Sequence, residues 1–473
     1  MKKFWRGLAT LLCISMAGSM FPVPVSAGRT VSAPDIAGES AGQQNPDTEE
    51  ATGGELALYG AQTGVKYLEY NENSKEMESK TCDSAEEVTS EDTSWGTAGQ
   101  DTWYVASGNI TMENRVTAKG NVHLILEDNC NLIMEKENGN KYEGGISVSN
   151  STAHLYIHAQ SDGNAQGKLV CKYTDTSYYS HPALGGAGAV TIDGGDITCE
   201  SGAGAGIGGK ANESSNSGTV TINSGTISAT SKDGAGIGSG KISDAAGTVV
   251  INGGTVNATS TYGAGIGGGR VSAGVVTITG GDITATGGGY GAGIGGAQNK
   301  TGTVTISGGK ITAVGDDGAG IGGGYAASGT VTISGGEINA TGNKGAGIGG
   351  GYIYKNAFEN DITITGGLVK AVSQKGSGIG PGYDSGTSIG EEEKLTIENS
   401  PFIFASGGSG GMEKGIYKQD GSENWSNIIS IDGSDGKVYG TSVTTAMDVE
   451  IAEDQTLLVP EGTTLAVGEG KTI

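Results

Sequence analysis

The sequence predicts an all-β fold, a parallel β-helix (solenoid) built from three-strand coils of about 28 residues, with irregular N-terminal cap coils. Three observations predict it: an extreme glycine content, short motifs that recur in phase, and period-two alternation inside each motif. Glycine supplies 90 of 473 residues, about 19% against a usual 7%. With only 8 Pro and no three-residue period, collagen is excluded. A helical fold is excluded too, since each interior Gly costs a helix about 1 kcal/mol relative to Ala. Hydrophobic residues make up 35%, yet Val, Ile and Thr recur regularly, which disorder does not require.

The motif Gly-Ala-Gly-Ile-Gly begins at Gly204, Gly234, Gly263, Gly291, Gly318 and Gly345, with a Ser variant at Gly376. A second motif, Val-Thr-Ile or a close variant, ends at Ile192, Ile222, Ile251, Ile278, Ile306, Ile333, Ile364 and Ile397. A third, of the type Ile-Thr-Ala-Thr, starts at Ile197, Ile227, Val256, Ile283, Ile311, Ile338 and Val369. All drift together by 27 to 33 residues per step, so one unit is one coil. Alternation puts Val304 and Ile306 on one face with Thr305 opposite, and Ile311 with Ala313 likewise. In Gly318-Ala319-Gly320-Ile321-Gly322 it puts Ala and Ile inward and leaves an outward strip of bare glycine. Gly-Gly and Ser-Gly pairs mark the corners. A propeller blade needs about 40 residues, and no nine-residue Asp period of a calcium-binding roll occurs.

The segments around this array follow from composition. Lys2, Lys3 and Arg6, the apolar run Leu8 to Phe21, and Val25-Ser26-Ala27 read as a secretory signal peptide over residues 1–27. The run is too short for a membrane anchor. Removing it takes the net charge from −24 to −27, which argues against nucleic acid or an anionic membrane as partner, and with no second apolar span in the sequence no membrane insertion is expected after signal removal. Residues 28–100 carry 15 Asp/Glu and 4 Lys/Arg and read as an acidic, disordered leader. Residues 101–181, with Trp103, Val105, Ile110, Met112, Val122, Leu124 and Leu126, read as the N-terminal cap and irregular coils. Regular repeats occupy 182–406. Residues 407–473 read as irregular β coils in which Leu457, Leu465 and Ile473 recur every eight residues, beside Val459 and Val467. That period breaks in mid-strand, the pattern of a truncated C-terminus.

Four cysteines follow the signal: Cys82, Cys130, Cys171 and Cys199. Cys171 and Cys199 align one coil apart, about 5 Å, as either a disulfide or two buried thiols. Four widely spaced cysteines do not make a disulfide scaffold.

Little in the chain points to catalysis. Gly204-x-Gly206-x-x-Gly209 matches a dinucleotide fingerprint, but strand rather than helix follows every copy, so no nucleotide site is expected. β-Helices also serve as polysaccharide lyases, which need a basic Arg or Lys beside a carboxylate cluster, and hydrolases, which need paired carboxylates. After the signal only Arg29, Arg115 and Arg270 remain, and Arg270 alone lies in the array. Asp193 and Asp196 give way to Asn223 and Thr226 in the next coil, and Asp282, Lys310 and Glu337 share one mixed-charge column. His123, His154, His158 and His181 show no metal-ligand spacing. No cofactor or metal is expected. Outward Thr columns fit ordinary exposed strand positions better than an ice-binding face.

A binding surface is better supported. Seven residues beyond the first Gly of the glycine motif stand Tyr325, Tyr352 and Tyr383, preceded in that column by Ala211, Lys241, Arg270 and Gln298. One residue before the motif stand Tyr262 and Tyr290. In register these form two aromatic ladders bordering the glycine strip, where tyrosine faces can pack on sugars. The competing reading has them cover loops.

Trp103-Tyr104-Val105-Ala106-Ser107-Gly108-Asn109-Ile110-Thr111 and Asn121-Val122-His123-Leu124-Ile125-Leu126, followed by the glycine array, resemble a family of Gly-rich β-solenoid secreted or surface proteins of Gram-positive anaerobes. These are carbohydrate-binding-domain or adhesin-like repeat proteins, and the resemblance covers about residues 100–473. It implies a secreted or surface-associated architecture and no catalytic residues. The expected function is non-catalytic binding of a polysaccharide or surface glycan. The alternatives are a rigid structural spacer and a polysaccharide lyase or hydrolase.

Overall fold

The computed structural model describes residues 60–212, 218–353, 359–384, 394–408, 414–417 and 425–473. Within them the chain is an all-β parallel β-helix with three sheets, one per side of the coil. Sheet 1 holds 13 strands, from Ala61–Gln62 to Lys394–Ile397, and carries the Val-Thr-Ile motifs. Sheet 2 holds 14 and carries the Ile-Thr-Ala-Thr motifs, while sheet 3 holds 11 short strands from Ser94–Trp95 to Ile379–Gly380.

Like residues stack on like. Val304 pairs with Val331 and Ile306 with Ile333 in sheet 1, Ala285 with Ala313 and Ala340 in sheet 2, and Ile294 with Ile321 and Ile348 in sheet 3. All of these are buried in one continuous cluster. Each buried Ile contributes about 1.5–3 kcal/mol, so the columns carry the stability that so few aromatics could not.

The glycine motif departs from the expected strand. Only its Ile-Gly pair is extended, as in Ile321–Gly322. The Ala319 N–H donates to the Gly323 carbonyl at 2.9 Å, so the segment curls back on itself. The glycines form no bare outward strip: a Cβ on Gly320 would lie 2.6 Å from the Gly347 carbonyl oxygen, because the next coil lies directly over it. Gly322 has φ +131° and its Cβ would meet the Gly349 oxygen at 2.2 Å. A positive φ and a backbone neighbour both demand glycine there.

The leader expected over 28–100 is corrected where the structure describes it. Residues 61–95 contain five strands, among them the antiparallel hairpin Val65–Asn71/Glu76–Cys82. Val65, Tyr67 and Cys82 pack with Val105 and Ile125 on the outer face of sheet 1, and Trp95 is fully buried in the main core. A few apolar residues at alternate positions outweigh the surrounding acids. Residues 1–59, with the signal peptide and the rest of the leader, lie outside the described residues.

Beyond residue 407 the described strands pair irregularly. Ile428–Asp432 and Asp435–Tyr439 pair antiparallel, which interrupts the parallel stacking of sheet 2 before Thr456–Leu458 pairs parallel again. Phe402 and Phe404 turn apolar rings to the outer face of that sheet, and Ile429, Ile431, Val438 and Val443 join them. Leu457 and Leu465 pack onto this second cluster rather than continuing the core, while Val459, Val467 and Ile473 are exposed.

Cys171 and Cys199 sit opposite each other in adjacent strands as free, buried thiols. Burial holds the Cys199 thiol well above its usual range and pushes Cys130 up to about 11.

The histidines form a network under the hairpin. The buried His158 Nδ1 lies 3.1 Å from the Leu68 carbonyl and 3.2 Å from Asp193 Oδ2, so Nδ1 carries the proton. Its Nε2 then accepts from His123 Nδ1 at 3.1 Å. Asp193 accepts from Asn223 Nδ2 at 2.7 Å, Asn223 from Asn252 at 2.7 Å, and Asn252 from the Thr279 hydroxyl at 2.9 Å. The His123 ring lies between Trp103 and Tyr156, with centroids 4.1 and 4.4 Å away.

Burial, then the neighbouring His158, holds His123 down to about 4; burial, then Arg115, does the same for His181. Below an ordinary pKa of 6.5 the unfolded chain takes up protons that the folded chain refuses. Stability is therefore expected to fall as pH drops from about 6.5 toward 4, before most carboxylates titrate. Urea midpoints at pH 7 and pH 4.5 check this: His123→Gln/His181→Gln should flatten the difference, and an unchanged slope would contradict it.

Candidate functional site

The site expected from sequence is two tyrosine columns, and the structure brings them together as one. The backbone explains why. The Tyr325 N–H donates to the Tyr290 carbonyl at 2.9 Å, Tyr352 N–H to Asp317 at 2.7 Å, and Tyr383 N–H to Lys344 at 2.7 Å. The residue after the glycine motif in one coil thus docks on the residue before it in the preceding coil. The columns interleave along the corner that follows sheet 2.

The result is a single ladder, Tyr262–Tyr290–Tyr325–Tyr352–Tyr383, with successive ring centroids 6.3, 5.7, 5.6 and 5.9 Å apart. Each ring is half-buried. The pairs alternate between stacked, edge-on and tilted, the offset geometries that ring quadrupoles favour.

Charges are woven into this ridge. The Arg270 guanidinium lies 5.1 Å from the Tyr262 ring and 5.5 Å from the Tyr290 ring, within cation–π range. The same Arg270 pairs at 3.5 Å with the buried Asp233, which also holds Lys241 at 3.3 Å. Lys344 sits 5.1 Å from the Tyr352 ring and 2.7 Å from Asp317, and the hydrogen bond to Asp317 holds its ammonium above the usual range. Gln298 donates its N–H to the Arg270 carbonyl at 3.0 Å, continuing the ridge without a ring.

Sequence reasoning missed the N-terminal reach of this edge. The Ala203 N–H bonds to the Asp175 carbonyl and Ala211 N–H to Ser180, which places the loop of Tyr178 and Tyr179 on the same corner. These two are exposed at 63% and 75%, in edge-on contact. One coil earlier Tyr142 bonds through its backbone to Thr174, with the Lys172 ammonium 4.2 Å over its ring. Eight of the described tyrosines therefore line one edge, a concentration that sheet packing alone does not require. These three precede the regular motifs, so no repeat register pointed to them.

Among the described residues, no three or more His, Cys, Asp or Glu are arranged to hold a metal ion. Asp282, Lys310 and Glu337 do share one outward column.

Six segments, residues 220–241, 249–270, 276–298, 304–325, 331–352 and 362–383, match the family model described as Beta helix repeat. Each runs from the first residue of the Val-Thr-Ile motif, through sheet 2 and the glycine turn, to a ridge position: Lys241, Arg270, Gln298, Tyr325, Tyr352 and Tyr383. Fold and repeats together define a β-solenoid repeat protein. No curated protein and no solved structure matches the chain.

Proposed function

We propose that this is a secreted, non-catalytic β-solenoid that binds a linear polysaccharide or surface glycan along the tyrosine ridge, in the manner of an adhesin. One observation carries the reading: five half-buried tyrosines form an unbroken ladder whose step is comparable to one pyranose unit of an extended glycan. Ring faces and edges pack on sugar C–H groups while hydroxyls and the flanking Arg270 and Lys344 serve the ring oxygens. The signal-like residues Lys2 to Ala27 support secretion, with attachment to the cell surface of a Gram-positive organism as the setting. No cofactor takes part, and neither nucleic acid nor membrane insertion is required. Arg270, the array's one arginine, is engaged by Asp233 and two rings, which favours a binding over a proton-transfer role. The second reading is a rigid spacer, favoured by the contact of the rings with one another. A lyase or hydrolase is the third.

Glycan-array binding of the chain, with and without calcium, separates these readings. The variant Tyr325→Ala/Tyr352→Ala/Tyr383→Ala should lose at least about tenfold in affinity, since each stacked ring contributes about 0.5–1.5 kcal/mol. A folded wild-type chain that binds no glycan would overturn the binding reading and favour the spacer.

A further inference from the structure

The corner that bears the ridge continues past Tyr383 into a cavity of about 500 Å³, lined by Gln374, Lys414, Asp432, Asp454 and Gln455. The connection is covalent and hydrogen-bonded: Gln374 adjoins Lys375, which stands one residue before the last glycine motif in the column of Tyr262 and Tyr290, and the Gly408 N–H of the cavity wall donates to the Gly376 carbonyl at 3.0 Å. The volume falls in the range of about 300–1,000 Å³ usual for small-ligand sites.

Its walls are set in place by the fold. Asp432 Oδ1 accepts from the Gly415 N–H at 2.7 Å and from the Ser430 hydroxyl at 3.2 Å. Gln455 donates to the Gly433 carbonyl at 2.9 Å and accepts from the Ala452 N–H at 3.0 Å. Asp454 is exposed.

We infer that this cavity is a second, separate subsite that takes a single neutral sugar unit, the end of the chain whose length lies on the ridge. The inference rests on the ridge reading for the polymer, but not for the free sugar. Two carboxylates offer acceptors, Lys414 offers donors, and Gln374 offers both. Vicinal hydroxyls, each donor and acceptor at once, meet such a mixed lining. An anionic ligand would face two carboxylates against one ammonium, which would leave its charge badly paired.

The test is saturation-transfer NMR on the full chain with glucose, galactose, mannose, N-acetylglucosamine and glucuronate as probes. At least one neutral monosaccharide should give a signal with wild type and with the ridge variant Tyr325→Ala/Tyr352→Ala/Tyr383→Ala. The exposed-side double variant Asp454→Asn/Lys414→Gln should lower that affinity by about tenfold, the loss expected for charge-assisted hydrogen bonds, and Gln374→Ala provides an independent second variant. No signal with wild type, or an undiminished signal in both cavity variants, would overturn the subsite; preference for glucuronate would overturn the neutral class. Loss of polymer binding in the ridge variant reports on the ridge alone, so the two readings fail separately.

Discussion

Gly295→Ala should destabilise the chain by about 3 kcal/mol or more, and it should do so by cutting the solenoid in two. Gly295 has φ +136°, and a Cβ there would lie 2.0 Å from the Gly322 carbonyl oxygen. That oxygen cannot retreat, because it accepts the Gly296 N–H at 2.9 Å. The residue therefore meets a steric wall and a disfavoured backbone together. In a solenoid each coil contacts only its neighbours, so one broken interface uncouples the coils on either side. Urea unfolding followed by far-UV circular dichroism should change from one transition to two. Gly289→Ala supplies the contrast: its Cβ would meet only the Tyr262 ring, at 3.8 Å, with no positive φ, and its effect should stay within about 0.5 kcal/mol. Equal midpoints for the two variants would refute the account.

Asp193→Ala is expected to cost about 3 kcal/mol, because it strips a buried acceptor from two donors at once. Asp193 receives Asn223 Nδ2 at 2.7 Å and faces His158 Nδ1 at 3.2 Å, and both it and His158 are buried. His158 also touches the Leu68 carbonyl, so the damage should reach the hairpin that covers sheet 1. Hydrogen exchange should accelerate in residues 65–82 as well as around residue 193. Asp193→Asn, which keeps an oxygen for Asn223, should lose less. Unchanged exchange in the hairpin would show that the network does not hold it down.

The fold was legible wherever the repeat was strict. Val304, Ile306, Ile311 and Ala313 declared their inward faces by alternation, and their neighbours stack as the spacing required. Alternation failed at Gly318-Ala319-Gly320, since the Ala319-to-Gly323 hydrogen bond is a turn and period-two reasoning has no term for it. It failed again at Val65–Cys82, where alternate apolar residues were masked by acids. The five ladder tyrosines and Arg270 were legible from the repeat register, but their union was not. Joining Tyr290 to Tyr325 takes a contact between positions 35 residues apart, longer than one coil. The terminal cavity was out of reach, because Gln374, Lys414, Asp432 and Asp454 come from successive irregular turns with no common spacing.

The like-on-like stacking of the coils has a consequence for how the molecule can vary. The lower surface of the coil at Val304 and the upper surface of the coil at Val331 present the same Val, Ile, Ala and Gly columns. Excision or duplication of one whole repeat rejoins surfaces that already fit, so the chain behaves as a ruler graduated in coils. Each graduation adds about 4.8 Å to the axis and one more position to the tyrosine edge. Unequal recombination between neighbouring repeats could therefore lengthen the protein's reach without redesigning any contact.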